Sequence, residues 1–190
     1  MKTVENTIRI ALGPGERSCV RSDPVVEMPQ WVAAQTKYRF EKKVAQQLMG
    51  KGIEVFVPLL RERHSWSDRQ KVVTIPLFSG YAFVHLDGSL KMRSEVLQTA
   101  GFMGFVNFRG TAAAISPKQI EDLRLLLERE VPFSLYPFAQ AGRRVRVVGG
   151  CLNGVEGVLS HCSRNKLVLS IDSVQRSLEV EIQGYELELI

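Results

Sequence analysis

Hydrophobic positions change period several times along the chain, and each change predicts an element. Trp31-Val32-Ala33-Ala34-Gln35-Thr36 is a compact apolar run that predicts a short buried strand. Over residues 38–49, Phe40, Val44 and Leu48 recur at steps of four, with Ala45 and Met49 beside them and Lys42, Lys43, Gln46 and Gln47 opposite. That is an amphipathic helix, ended by Gly50 and Gly52. Residues 53–58 (IEVFVP) alternate with period two and predict a second strand. Residues 80–86 alternate too, placing Gly80, Ala82, Val84 and Leu86 on one side and Tyr81, Phe83 and His85 on the other. Between these two strands lies a polar, basic segment, residues 61–71, followed by the apolar VVTI. A hairpin tip or long arm is expected there. Residues 89–99 predict a short helix with Leu90, Val96 and Leu97 inward, and residues 102–108 another extended stretch.

The strongest helix signal begins at Ser116. Ser116 can cap, Pro117 suits the first helical position, and Gln119 can close a capping box. Ile120, Leu123 and Leu127 then point to a core, with Glu121, Asp122, Arg124 and Glu128 solvated. Residues 132–140, with two prolines and no periodicity, predict a linker. After it, Arg144-Val145-Arg146-Val147, residues 166–171 and residues 178–182 alternate between glycine turns, the signature of a small all-β barrel. The first 29 residues mix charge, Gly and Pro, and a flexible leader is expected over them.

Composition narrows the function classes. The chain has 190 residues, 45% hydrophobic and 24% charged, enough for one large domain or two small ones. Its formal charge of +5 permits work beside nucleic acid without demonstrating it. No apolar run approaches the roughly 20 residues of a membrane span, and no secretory signal is visible at the N-terminus. Cys19, Cys151 and Cys162 are an odd set without a C-x-x-C pair, so reduced thiols and a cytoplasmic location are expected. Cys151 and Cys162 are expected to pack within the barrel. No His/Cys cluster, G-x-S-x-G or P-loop spacing occurs, so no metal, no cofactor and no enzymatic activity are expected.

The stretch PLFSGYAFV, residues 76–84, then gives the pattern an identity. Together with Trp31, Gln35-Thr36, Glu41, Val44, Gly52, Pro58, and Gly101 before Phe105-Val106, it resembles the N-terminal NGN domain of the NusG family of transcription elongation factors. Gly142-Arg143-Arg144-Val145-Arg146-Val147, followed by GGCLNGVEG at 149–157, is similar to the family's KOW motif. The Trp66-Ser67-Asp68-Arg69 arm and Val174-Gln175-Arg176-Ser177 look more like the specialised RfaH and UpxY-type paralogues than housekeeping NusG. The resemblance implies an α+β NGN domain, a mainly antiparallel sheet flanked by helices, followed by a small all-β SH3-like KOW barrel. The corresponding division is 1–29 leader, 30–131 NGN domain, 132–140 linker and 141–190 barrel.

It also implies function and sites. The expected role is a transcription elongation or antitermination factor, operon-specific, that binds the β′ clamp helices of RNA polymerase and suppresses pausing or termination. Docking would fall to Trp31, Phe78, Tyr81 and Phe83, although Ser79 stands where RfaH-like proteins often have proline. From the residues alone each aromatic could equally be core. Lys91, Met92, Arg93 and Ser94 sit where relatives touch the polymerase gate loop, but the His-Thr-rich patch of RfaH is missing and a solvated helix face is the stronger reading. The arm residues Arg61, Arg63, His64, Trp66, Arg69 and Lys71 could face upstream or non-template DNA, by phosphate pairing and base stacking, or could simply be solvated. The KOW motif residues are Arg144, Val145, Arg146, Val147, Gly154 and Gly157, in a module that recruits a ribosomal protein or the Rho terminator in the family. Its β-branched content predicts a stable barrel with no helical switch. Two alternatives stay open: a general NusG-type factor coupling to Rho or the ribosome, and an RNA- or ribosome-binding KOW protein. The latter would keep its RNA affinity in residues 139–190 and lose it on neutralising Arg143, Arg144 and Arg146.

Overall fold

A computed structural model of the chain describes residues 28–66, 69–136, 142–160 and 165–190, with residues 62–66 and 69–72 described by backbone alone. The leader expected over residues 1–29 lies almost wholly outside the described residues. In chain order the first part contains β1 (Gln30–Thr36), α1 (Glu41–Met49), β2 (Val55–Phe56), β3 (Leu59–Trp66), β4 (Arg69–Pro76), β5 (Tyr81–Leu86) and α2 (Leu90–Leu97). It continues with β6 (Phe102–Phe105), β7 (Asn107–Phe108), β8 (Thr111–Ala112), β9 (Ala114–Ile115) and α3 (Pro117–Glu128). The second part contains β10 (Phe133–Tyr136), β11 (Arg144–Val148), β12 (Glu156–Leu159), β13 (Lys166–Ile171), β14 (Arg176–Glu181) and β15 (Glu186–Leu189).

The N-terminal sheet runs β2-β5-β1-β6, with β9 pairing β1 beyond the end of β6. Its central strands are buried on both faces, so their two alternating side-chain rows feed two cores. Val32, Ala34, Ala82, Val84 and Leu86 pack with Val44, Ala45 and Leu48 of α1. Trp31, Ala33, Phe78 and Phe83 pack on the other face, in the same cluster as Ile120, Leu123 and Leu126 of α3. The expected alternation of β5 is therefore present, with a helix on each side. The basic segment between β2 and β5 is a two-stranded ribbon, β3 paired to β4 from Leu59↔Pro76 out to Trp66↔Arg69.

The C-terminal part is a six-stranded antiparallel sheet in the order β10-β14-β13-β12-β11-β15, enclosing Val145, Val147, Leu167, Leu178 and Val180. At Gly157, a Cβ would come within 2.8 Å of the Val168 carbonyl oxygen, so only glycine lets β12 lie this close to β13.

Several expectations change. The first helix begins at Glu41, not at residue 38, and Met49 is exposed. In α2, Leu90 and Leu97 are exposed and Arg93 is buried, its guanidinium 5.2 Å from the Phe105 ring centroid. Leu90 and Leu97 are seven residues apart and so share a face, but it is the one turned away from the sheet, while Val96 is buried. In α3, Leu126 is buried and Leu127 only partly so. The Ser116 side chain makes no capping bond, and Gln119 donates from Nε2 to the Ser170 carbonyl at 2.9 Å instead of closing a box. Within the expected linker, Phe133–Tyr136 form β10 and pair with β14 from Phe133↔Val180 to Tyr136↔Ser177. Pro132 precedes this strand without interrupting it. Cys151 is exposed, with Sγ 2.8 Å from the Tyr185 hydroxyl, while Cys19 and Cys162 lie outside the described residues.

Candidate functional site

The turn of PLFSGYAFV is held by a buried carboxylate. Gly80 adopts φ +82°, and its N–H donates to Glu41 Oε1 at 2.6 Å, while its carbonyl accepts from the Thr36 N–H at 2.8 Å. Glu41, at the start of α1, is almost fully buried, so this bond is what satisfies it there. The left-handed turn leads Phe78 and Tyr81 onto the α3 side of the sheet.

Antiparallel register then assembles the aromatic face. Trp31 stands opposite His85, Ala33 opposite Phe83 and Gln35 opposite Tyr81, while Phe56 pairs with Phe83 from the other side. The Phe83 ring stacks on Phe56 at 6.2 Å and meets Phe78 edge-on at 6.0 Å. Trp31 and His85 are 5.2 Å apart between ring centroids. Of the four expected docking residues, Trp31, Phe78 and Phe83 are buried and Tyr81 is half-buried. The four aromatics share one face of the sheet, and the sequence did not foretell what lies over them.

Arg124 of α3 is part of that cover, and sequence reasoning had assigned it to solvent. Its guanidinium lies 5.3 Å from the Trp31 ring centroid and 5.0 Å from that of Phe56. It donates to Glu54 Oε1 at 3.0 Å, and the other Glu54 oxygen is 3.8 Å from His85 Nδ1. One helix cation thus closes an aromatic pair by stacking and holds the Glu54 carboxylate by charge. Beside it, a groove of about 860 Å³ runs between Phe56, Leu60, Arg124, Leu127 and Phe133.

The other side of α3 carries the barrel. Besides the Gln119–Ser170 bond, the Glu156 N–H donates to Asp122 Oδ2 at 3.2 Å, and Lys118 Nζ pairs with Oδ1. A 3-10 turn, Asp172–Val174, packs against β1 and β9. Asp122 was expected in solvent and is only 3% exposed. Burial pushes its carboxyl above the ordinary range, and the nearby Glu156 carboxylate pushes the same way against Lys118. A carboxyl raised by folding adds stability below its unfolded pKa and loses it as pH rises through its folded one. The stability of Asp122→Asn relative to wild type should therefore increase as pH rises from acid through that titration and then level off. Urea midpoints taken across pH check this.

The remaining expected residues separate into groups. In α2, Lys91 and Ser94 are exposed, Met92 is half-buried and Arg93 is turned inward. Arg61 at the base of the ribbon is exposed, and the register pairs Arg63 with Val72, His64 with Lys71 and Trp66 with Arg69. The side chains of Arg63, His64, Trp66, Arg69 and Lys71 lie outside the described residues. In the KOW stretch Val145 and Val147 are buried, and Gly154 turns at φ +85°. Arg146 is occupied by Glu156 at 2.8 Å and Glu188 at 3.5 Å, and Arg144 lies 3.8 Å from Glu156. These pairs leave the basic strand little free charge for RNA. Among the described residues no group of three or more His, Cys, Asp or Glu could hold a metal, and no helix is long and apolar enough to cross a membrane.

The family model for transcription termination factor NusG matches residues 29–124. The transcription termination/antitermination protein NusG of Lactococcus lactis is 26% identical over 173 residues, covering 83% of this chain and 91% of the relative. NusG of Borreliella burgdorferi is 25% identical, covering 84% and 98%. A structure of Thermotoga maritima NusG, described as showing domain interaction, is 18% identical, with a TM-score of 0.45 over 83% of this chain and 96% of that one.

Proposed function

The chain belongs to the NusG family of transcription termination and antitermination factors, and from that premise we propose that it docks on the β′ clamp helices of RNA polymerase to favour elongation. The observation that carries the reading is the gathering of Trp31, Phe78, Tyr81 and Phe83 on one sheet face, with Tyr81 at its half-exposed margin. An aromatic face ending in a phenol suits an amphipathic helical partner, because the ring gives area and the hydroxyl keeps a polar bond at the rim. Pause suppression then follows from differential binding. A factor that binds the closed, elongating polymerase better than the paused one shifts the balance between them by that difference.

In this arrangement α3 and the barrel lie over the aromatic face, so docking and barrel release are linked. The functional division follows the notional boundaries at 30–131 and 141–190, with β10 as a tether that travels with the barrel. The ribbon β3–β4 would lie along upstream or non-template DNA, and any gate-loop contact would fall to Lys91 and Ser94. The barrel would recruit a ribosomal protein or Rho once free. Operon-specific action, as in the RfaH-like paralogues, is the form of the activity we favour.

The test is binding of the full chain to a β′ clamp-helix coiled coil from its own polymerase. Tyr81→Ala should keep its circular dichroism and denaturation midpoint within narrow limits, since the ring is half-exposed, yet lose about tenfold or more in affinity, as truncation of a hot-spot tyrosine does. Equal binding by both proteins would remove Tyr81 from the dock and return the face to core packing.

A further inference from the structure

The last strand of the C-terminal sheet leaves an edge open. Among the described residues, β15 stands at the end of the sheet order and pairs with β11 alone. The Ile190 N–H donates to the Arg144 carbonyl, and antiparallel pairing repeats that geometry at every second residue. The backbone groups of Glu188 and Glu186 therefore bond to β11, while those of Leu187 and Leu189 point outward along the free edge. The side chains of these two leucines share a face with Val145 and Val147, which are buried. Yet Leu187 is 37% and Leu189 68% exposed. A core row thus runs out into solvent at a strand with two free ladder positions.

The chemistry of that edge selects what fits it. Leu187-Glu188-Leu189 already faces a complementary triplet on its inner side, Val145-Arg146-Val147, with Arg146 Nη1 3.5 Å from Glu188. The sequence holds one other arginine flanked by two β-branched apolar residues, Ile8-Arg9-Ile10. Leu12 continues its period of two, and Gly13-Pro14-Gly15 ends it. Residues 13–27 span up to roughly 50 Å at about 3.3 Å each, against a radius of gyration of about 15 Å for a fold of about 160 residues. The triplet therefore has the reach to lie on β15 from the start of β1. Other outer strands of the two large sheets suit it less. β6 (FMGF) and β10 (FSLY) offer no acid to Arg9, and β2 is two residues long.

We propose that residues 7–12 of the same chain add to this edge as a seventh, antiparallel strand, with Ile8 opposite Leu189, Arg9 opposite Glu188 and Ile10 opposite Leu187. That register gives the outward N–H and C=O groups of Leu187 and Leu189 their partners and carries the apolar row over the two exposed leucines. It also sets Glu188 between Arg146 and Arg9. An edge filled from within the chain is closed to other extended segments, so the N-terminal segment decides whether the barrel can take a foreign strand there. The pairing needs no polymerase, so its failure and that of the docking reading can be told apart.

Amide exchange of the full chain, followed residue by residue by nuclear magnetic resonance, tests it. The Leu187 and Leu189 amides should exchange about tenfold or more slowly in wild type than in Ile8→Asp/Ile10→Asp, which puts two carboxylates into the apolar row. Arg9→Glu, which opposes Glu188 with a like charge, should lose most of that protection, while Arg9→Lys keeps it. None of these changes touches a residue of the barrel. A contact between the α-protons of Arg9 and Glu188 identifies the register, because a non-hydrogen-bonded antiparallel pair brings its Cα atoms to about 4.5 Å. Equal exchange in wild type and Ile8→Asp/Ile10→Asp, or an Arg9 α-proton contact to a strand other than β15, would overturn the proposal. Protection that rises with protein concentration would overturn it too, since the occupant would then be a second copy of the chain.

Discussion

Replacing Phe83 by alanine is expected to lower the free energy of unfolding by about 3–5 kcal/mol. Phe83 has no exposed surface and sits in β5, which is hydrogen-bonded to β1 on one side and β2 on the other. Its ring is wedged between Phe56, at the sheet edge, and Phe78, on the PLFSGYAFV turn. Phe56 is held from above by Arg124, and Phe78 by the turn that Glu41 fixes, so neither can collapse far into the space left behind. A cavity that cannot close keeps both the lost transfer energy and the lost contacts. Phe83→Leu, which keeps most of the volume, should cost less than about 1.5 kcal/mol. Denaturant midpoints of the two variants decide the matter. A loss below about 1 kcal/mol in the alanine variant would mean that the aromatic face relaxes freely.

That result bears on how the proposed docking surface is assayed. Loss of polymerase binding in Phe83→Ala would report unfolding as readily as a lost contact, whereas Tyr81 stands at the margin and can be truncated without opening the core.

How much of this was legible follows from the range of the interactions. The two-residue period of β5 is local, and it assigned Ala82 and Val84 to one core and Phe83 to the other. The family motifs likewise fixed the order of elements. What the sequence could not reveal was set by partners far along the chain. Whether Phe83 is open or covered depends on α3 about 40 residues later and on a barrel beyond that. Asp122 reads as solvated on a helical wheel, but its hydrogen-bond partner is the Glu156 N–H, 34 residues on. Arg93 counted as a surface cation until the Phe105 ring received it. The strand at Phe133–Tyr136 was hidden in the sequence by the prolines on either side of it; Pro132 precedes the ladder and costs it no hydrogen bond. Side-chain periodicity reports which face a residue takes, and only the packed molecule reports what lies on that face.

Val174→Asp should raise the affinity of the full chain for the clamp-helix coiled coil. Val174 is buried in the 3-10 turn that lies against β1 and β9, beside the Trp31 end of the aromatic face. An unpaired carboxylate there has no partner to offset its desolvation, so the contact between barrel and N-terminal sheet opens. Among the described residues, polar contacts at the same junction include Gln119 Nε2 donating to the Ser170 carbonyl and the Glu156 N–H donating to Asp122. Burial raises the Asp122 pKa, so ionising that carboxyl at the junction costs free energy. A junction made this way is held by a small margin. If that margin is about 2 kcal/mol, only about 3% of molecules are open, and full opening would raise apparent affinity about 30-fold. Nuclear spin relaxation should show the two parts tumbling separately in the variant, and Gln119→Ala should move both readouts the same way by less. An opened variant that binds the clamp helices no better than wild type would show that the barrel does not guard the aromatic face. Unchanged tumbling together with tighter binding would place the control in α3 and Arg124, which remain over Trp31 and Phe56 when the barrel stays put.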